Sequence, residues 1–122
     1  MPVSDEDLDR YRRTLRRRDE AARAQQKEAH RNAWHAARQA ASVLEDELGA
    51  ERVVLFGSVA REERLSPHSD LDLAVEGLAP MAYYRAVARL QSIPEERTVD
   101  WVQLESCRDS LRQTVDETRI EL

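Results

Sequence analysis

A chain of 122 residues, 41% hydrophobic and 35% charged, has room for one domain with a modest core and none for a separate substrate domain. Its formal net charge of −5 argues against a general nucleic-acid-binding surface. The single cysteine, Cys107, excludes an intrachain disulfide, and no stretch has the length and apolarity of a membrane span or the layout of a leader, so a cytoplasmic protein is expected.

In chain order, Ser4 followed by Asp5, Glu6 and Asp7 reads as a helix start: a hydroxyl cap, an acid at the capping-box distance, and negative charge at the positive end of the dipole. No Pro or Gly interrupts residues 8–48, and Gly49 supplies a left-handed stop, so one long helix is expected, with a break near Arg18 as an alternative. Its second half places Ala33, Ala37, Ala40, Ala41, Leu44 and Leu48 near one stripe suited to a core. Its first half offers mainly Leu8, Tyr11 and Leu15 to bury, in and just before "RRTLRRRDEAARAQQKEAHR", and reads as a projecting solvated face or protein interface, with phosphate or nucleic-acid binding by the basic run as the lesser alternative. His30 and His35 are five residues apart, unsuited to sharing a metal, and Trp34 reads as packing.

After Gly49 the pattern changes to strands: "RVVLF", "DLDLAV" and "TVDWVQL". Between the last two, "PMAYYRAVARLQSI" reads as a helix opened by Pro80, with Tyr84, Val87 and Leu90 inward. The tail reads as a helix with Leu111 and Val115 inward, then a short strand at 119–122. Cys107, with no His or second Cys nearby, reads as a structural thiol. The order predicts an α/β (α+β) fold, a small mixed sheet flanked by helices.

Chemistry concentrates in "LFGSVAREERLSPHSDLDLAV". In a strand, Asp70 and Asp72 share one face while Leu71, Leu73 and Val75 take the other. Paired carboxylates repel unless a cation neutralises them, and magnesium, which takes oxygen ligands and bridges carboxylates to phosphates, does so. Asp100 interrupts the third apolar strand, where a neighbouring strand would bring it beside the pair. Gly57 and Ser58 end the first strand where a short helix over 59–63 would begin, a place for a phosphate. Metal and phosphate sites facing each other point to nucleotidyl or phosphoryl transfer.

These residues resemble the minimal nucleotidyltransferase (MNT) family of the DNA polymerase β superfamily, whose signature is Gly-Ser, about ten residues, then Asp-x-Asp. "VVLFGSVAR", "SDLDLAVEGL" and "TVDWVQLE" carry the likeness, which runs from Arg52 to the C-terminus. The resemblance implies a polymerase-β-like fold over 49–122 with residues 1–48 as a long helical extension, the whole forming one compact unit. It implies Mg2+, as two ions, and ATP as substrate. Asp70, Asp72 and Asp100 would hold metal and carry catalysis, with Asp100 as base. Gly57 and Ser58 would hold terminal phosphates, Arg61 would orient the loop or a phosphate, and Ser69 would cap locally. Two features depart from the family pattern: residues 59–69 make the spacer eleven long, and Glu62 stands where Gly commonly follows the Arg.

Small MNT proteins pair with a HEPN-domain partner, so the resemblance implies an antitoxin that transfers AMP from ATP to a tyrosine hydroxyl of a HEPN ribonuclease toxin, the projecting half-helix being a candidate docking surface. The alternatives are a small-molecule nucleotidyltransferase completed by a homodimer, and a binding-only antitoxin acting by contact. Neither membrane nor direct nucleic-acid binding is expected.

Overall fold

The computed structural model describes residues 3–61, 65, 69–93 and 98–122. Helix α1 runs from Asp5 to Ser42 without a break at Arg18, and Ser4 caps it by accepting a hydrogen bond from the Asp7 amide at 3.1 Å. It leaves through a π turn at Val43–Glu47, and Gly49, at φ +77°, reverses the chain where a residue with a Cβ would be strained.

The chain then continues into β1 (Arg52–Phe56), β2 (Leu71–Glu76), α2 (Tyr83–Gln91, entered by a 3-10 turn at Pro80–Ala82), β3 (Val99–Gln103), α3 (Asp109–Thr118) and β4 (Ile120–Glu121). The four strands form one mixed sheet in the order β3-β2-β1-β4, with β1 antiparallel to β2 and β4, and β2 parallel to β3. The parallel pair is joined by α2, as a parallel connection requires.

The sheet has helices on both faces. Val53, Leu55, Leu71, Leu73 and Val75 pack with Ala29, Ala33, Ala37, Ala40, Leu44, Ala86 and Leu90 of α1, its exit turn and α2. Val54, Phe56 and Ala74 face Leu104 and Val115, with Leu111 packed alongside. Alternation along β1 and β2 therefore splits the apolar side chains between two cores. The alanines let α1 approach the sheet closely; Trp34 packs against the same cluster, as its sequence reading expected.

One inward assignment is corrected. Tyr84 is exposed; α2 buries Leu90, as expected, together with Ala86, and the turn before it buries Ala82. Small side chains fit beneath α2, whereas the Tyr83 ring lies outside against Trp101, centroids 5.3 Å apart, and Tyr84 stacks edge-on to Tyr83. At the other edge Arg52 ties the short last strand down, its Nε donating to Glu121 at 3.0 Å and its Nη1 to Glu76 at 3.4 Å. Among the described residues no helix is long and apolar enough to cross a membrane.

Candidate nucleotidyl-transfer site

The candidate residues meet at one end of the sheet because three strand ends meet there. Phe56, the last residue of β1, pairs with Asp72, and Asp72 pairs with Asp100 across the parallel β2–β3 ladder. Opposed residues on paired strands share a face, so Asp72 and Asp100 stand on the α3 side, continuing the row of Ala74 and Val102. Asp70 lies one residue before β2, exposed at its lip rather than within the strand as the alternating pattern had suggested.

Gly57 follows Phe56 at φ +80°, buried. A Cβ there would run into the carboxylate of Asp72, within 3.3 Å of its Cγ. Backbone and carboxylate are thus in direct apposition, which only glycine permits. The Gly57 amide donates to Thr118 Oγ1 at 3.4 Å, and that hydroxyl donates to the Thr114 carbonyl at 2.9 Å, tethering the loop to the end of α3. Thr118 was not singled out from sequence: 61 residues separate the partners, and no local pattern marks the pair. Beyond Gly57 the chain makes one helical turn, the Arg61 amide donating to the Gly57 carbonyl at 3.0 Å, with Val59 as its buried anchor. The remainder of the short helix expected over 59–63, and with it Glu62, lies outside the described residues.

Asp72 reports on how closely the charges gather. Burial raises its pKa most, the Asp100 and Asp70 carboxylates raise it further, and the Arg61 guanidinium lowers it. The site therefore concentrates negative charge in a partly desolvated place and sets one cation beside it. Ser58 and Ser69 are both half-buried at its rim.

Among the described residues, the acidic groups acting on Asp72 are the carboxylates of Asp70 and Asp100, oxygen donors of the kind a hard divalent cation prefers. Among the described residues no group of three or more His, Cys, Asp or Glu side chains is close enough to form a metal cage by itself. Asp70, Asp72 and Asp100, expected to share a metal, therefore do not form such a group. An open groove of about 630 Å³ runs along the outer edge of β3 between Tyr83, Trp101 and Arg108, and none of the aspartates lines it.

The family model for the nucleotidyltransferase domain matches residues 37–119. The chain belongs to that family. Its matched segment holds Gly57, Ser58, Asp70, Asp72 and Asp100, and starts within the half of α1 that packs on the sheet. No protein with a curated function matches the nucleotidyltransferase chain. Among solved structures, it is similar to one provisionally described as a minimal nucleotidyltransferase, 35% identical with a TM-score of 0.57, the match covering 73% of this chain and 92% of that one. It is also similar to a chain in a mutant of the toxin–antitoxin MntA–HpeT (28% identity, TM-score 0.52). A third similar chain comes from a toxin–antitoxin solved with AMP-PNP (27% identity, TM-score 0.54). Both toxin–antitoxin matches cover 66% of this chain and 66% of the other, just under two thirds of those chains.

Proposed function

We propose that this nucleotidyltransferase is an antitoxin that uses Mg2+ and ATP to transfer AMP to a tyrosine hydroxyl of a HEPN ribonuclease toxin. The observation that carries the reading is the apposition of Gly57, Asp72 and Asp100 at one sheet end, which sets close backbone beside two carboxylates. Similarity to toxin–antitoxin chains, one solved with AMP-PNP, supports the partner and the nucleotide.

In this reading Asp70 and Asp72 hold the magnesium, with Asp100 completing the set when phosphates are present. The metal would neutralise the triphosphate and make the α-phosphorus accessible to an incoming oxygen. Gly57 and Ser58 hold the terminal phosphates, Arg61 offsets their charge, and Ser69 caps the chain entering β2. Asp100, exposed on β3, accepts the proton of the acceptor hydroxyl. The hydroxyl oxygen attacks the α-phosphorus in line, the bond to the bridging oxygen breaks, and pyrophosphate departs.

The test mixes this protein with the toxin encoded beside it, labelled ATP and Mg2+. Label is expected on a toxin tyrosine, lost with EDTA and with the Asp70→Asn/Asp72→Asn variant. Full neutralisation by that variant, with no label from the native protein, would replace the enzymatic reading with inhibition by contact.

A further inference from the structure

The first half of α1 carries an apolar seam that the rest of the fold does not reach. Residues 3–25 are exposed throughout, and the first half-buried side chain along the helix is Gln26. Its amide donates to the Leu65 carbonyl at 2.6 Å and accepts from the Leu65 amide at 2.9 Å. Before that clasp about 21 residues of helix, roughly 30 Å at 1.5 Å per residue, stand away from the body. Leu8, Tyr11 and Leu15 remain 39%, 63% and 41% exposed. Turning 100° per residue, they fall within a sector of about 60°. Ala29, Ala33, Ala37 and Ala40 occupy the same stripe further along, where it is the buried face of the helix. The seam is thus the core-facing stripe of α1 continued past the core.

The charges beside the seam say what fits it. Asp5, Asp9, Arg12 and Arg16, spaced four, three and four residues apart, line one flank, acidic toward the N-terminus and basic toward the body. A surface that pairs with its own copy across a two-fold axis must be self-complementary. A second helix laid antiparallel sets the acidic half of each flank against the basic half of the other, and closes both sets of Leu8, Tyr11 and Leu15 on each other. A parallel partner would stack like charge on like, and a uniformly acidic partner would match Arg12 and Arg16 while repelling Asp5 and Asp9.

We infer that residues 5–18 of α1 form an antiparallel dimerisation arm, pairing with the same segment of a second copy. The arm precedes the segment shared with the nucleotidyltransferase family, which starts at residue 37, so it adds an interface beyond the domain. An isolated helix of this length is marginal in water, and pairing also buries its seam. Three apolar side chains per arm cover less than a standard interface, so the association is reversible, and ion-pair rims make it weaken with salt.

Sedimentation equilibrium on the full chain, from low to high micromolar concentration, tests this. A monomer–dimer equilibrium is expected, with a dissociation constant rising at least tenfold in Arg12→Glu/Arg16→Glu and in Asp5→Lys/Asp9→Lys. Far-UV circular dichroism checks that both variants keep the helix. An equimolar mixture of the two variants, in which each acidic half again meets a basic one, is expected to recover the native affinity. A monomeric native chain throughout the range, a dimer indifferent to both variants, or a mixture that stays monomeric overturns the inference. An arm protected only when another protein is added overturns it likewise.

Discussion

Asp72 is held where its own ionisation works against folding. Burial, Asp100 and Asp70 together raise its pKa above the ordinary 3.8, so the folded state favours the protonated form and the ionised carboxylate costs stability at neutral pH. Asp72→Asn is expected to melt no lower than the native protein, and higher in EDTA, while transfer falls by about a hundredfold or more, the scale for losing a preorganised charge at a reacting phosphate. Thermal melts with and without EDTA, beside a transfer assay, check both halves; a variant that loses stability would place Asp72 among structural groups. Gly57→Ala meets the opposite obstacle: a left-handed backbone and a Cβ aimed at the Asp72 carboxylate. About 1–3 kcal/mol of strain is expected, read from urea unfolding, together with lost ATP binding. At this scale the shared face of Asp72 and Asp100 was legible from strand alternation, while Asp70, one residue before β2, did not follow it. Thr118 and Gln26 were not legible, since each acts on backbone far away in the chain and nothing local distinguishes it from any polar helix residue.

For the elements, polar–apolar alternation found β1, β2 and β3 within a residue or so, and the Ser4 cap with Gly49 bracketed the long helix. The misjudged case was α2. Leu90 is buried as its helical spacing implies and Val87 half-buried, but Tyr84 is exposed and the small Ala86 is fully buried beneath the helix. Ala33, Ala37 and Ala40, fully buried in α1, mark the same constraint elsewhere. Ala37→Leu is therefore expected to cost about 1–3 kcal/mol through overpacking, seen as a lower urea midpoint with unchanged m-value. The two-residue β4 has a different dependence, leaning on the ion pair of Arg52 with Glu121. Arg52 holds the Glu121 carboxyl below its ordinary 4.5. An acid with a lowered folded-state pKa contributes stability above its unfolded pKa and loses it as pH falls through the folded value. The melting difference between native protein and Glu121→Gln is accordingly expected to be present at pH 7, small because the pair is solvent-screened, and to close below about pH 4.5.

The molecule as a whole divides α1 between two kinds of surroundings. Residues 29–44 contribute to the main core, while residues 3–25 contribute nothing buried, and local stability follows buried contact. Amide exchange is expected to be slow over 29–44 at every protein concentration. Over residues 5–18 it is expected to be fast in dilute solution and to slow as concentration rises. Concentration-independent exchange across the arm would contradict that expectation.

The clasp between Gln26 and Leu65 falls within this family member's unusual spacer. A side-chain amide that both donates to and accepts from one backbone unit behaves as a single rung of sheet, and this rung fastens the connection near its midpoint. Leu65 is thereby held to α1 between the end of β1 and the start of β2. The pairing of Phe56 with Asp72 fixes both ends of that connection, and the clasp gives the chain a fixed point between them.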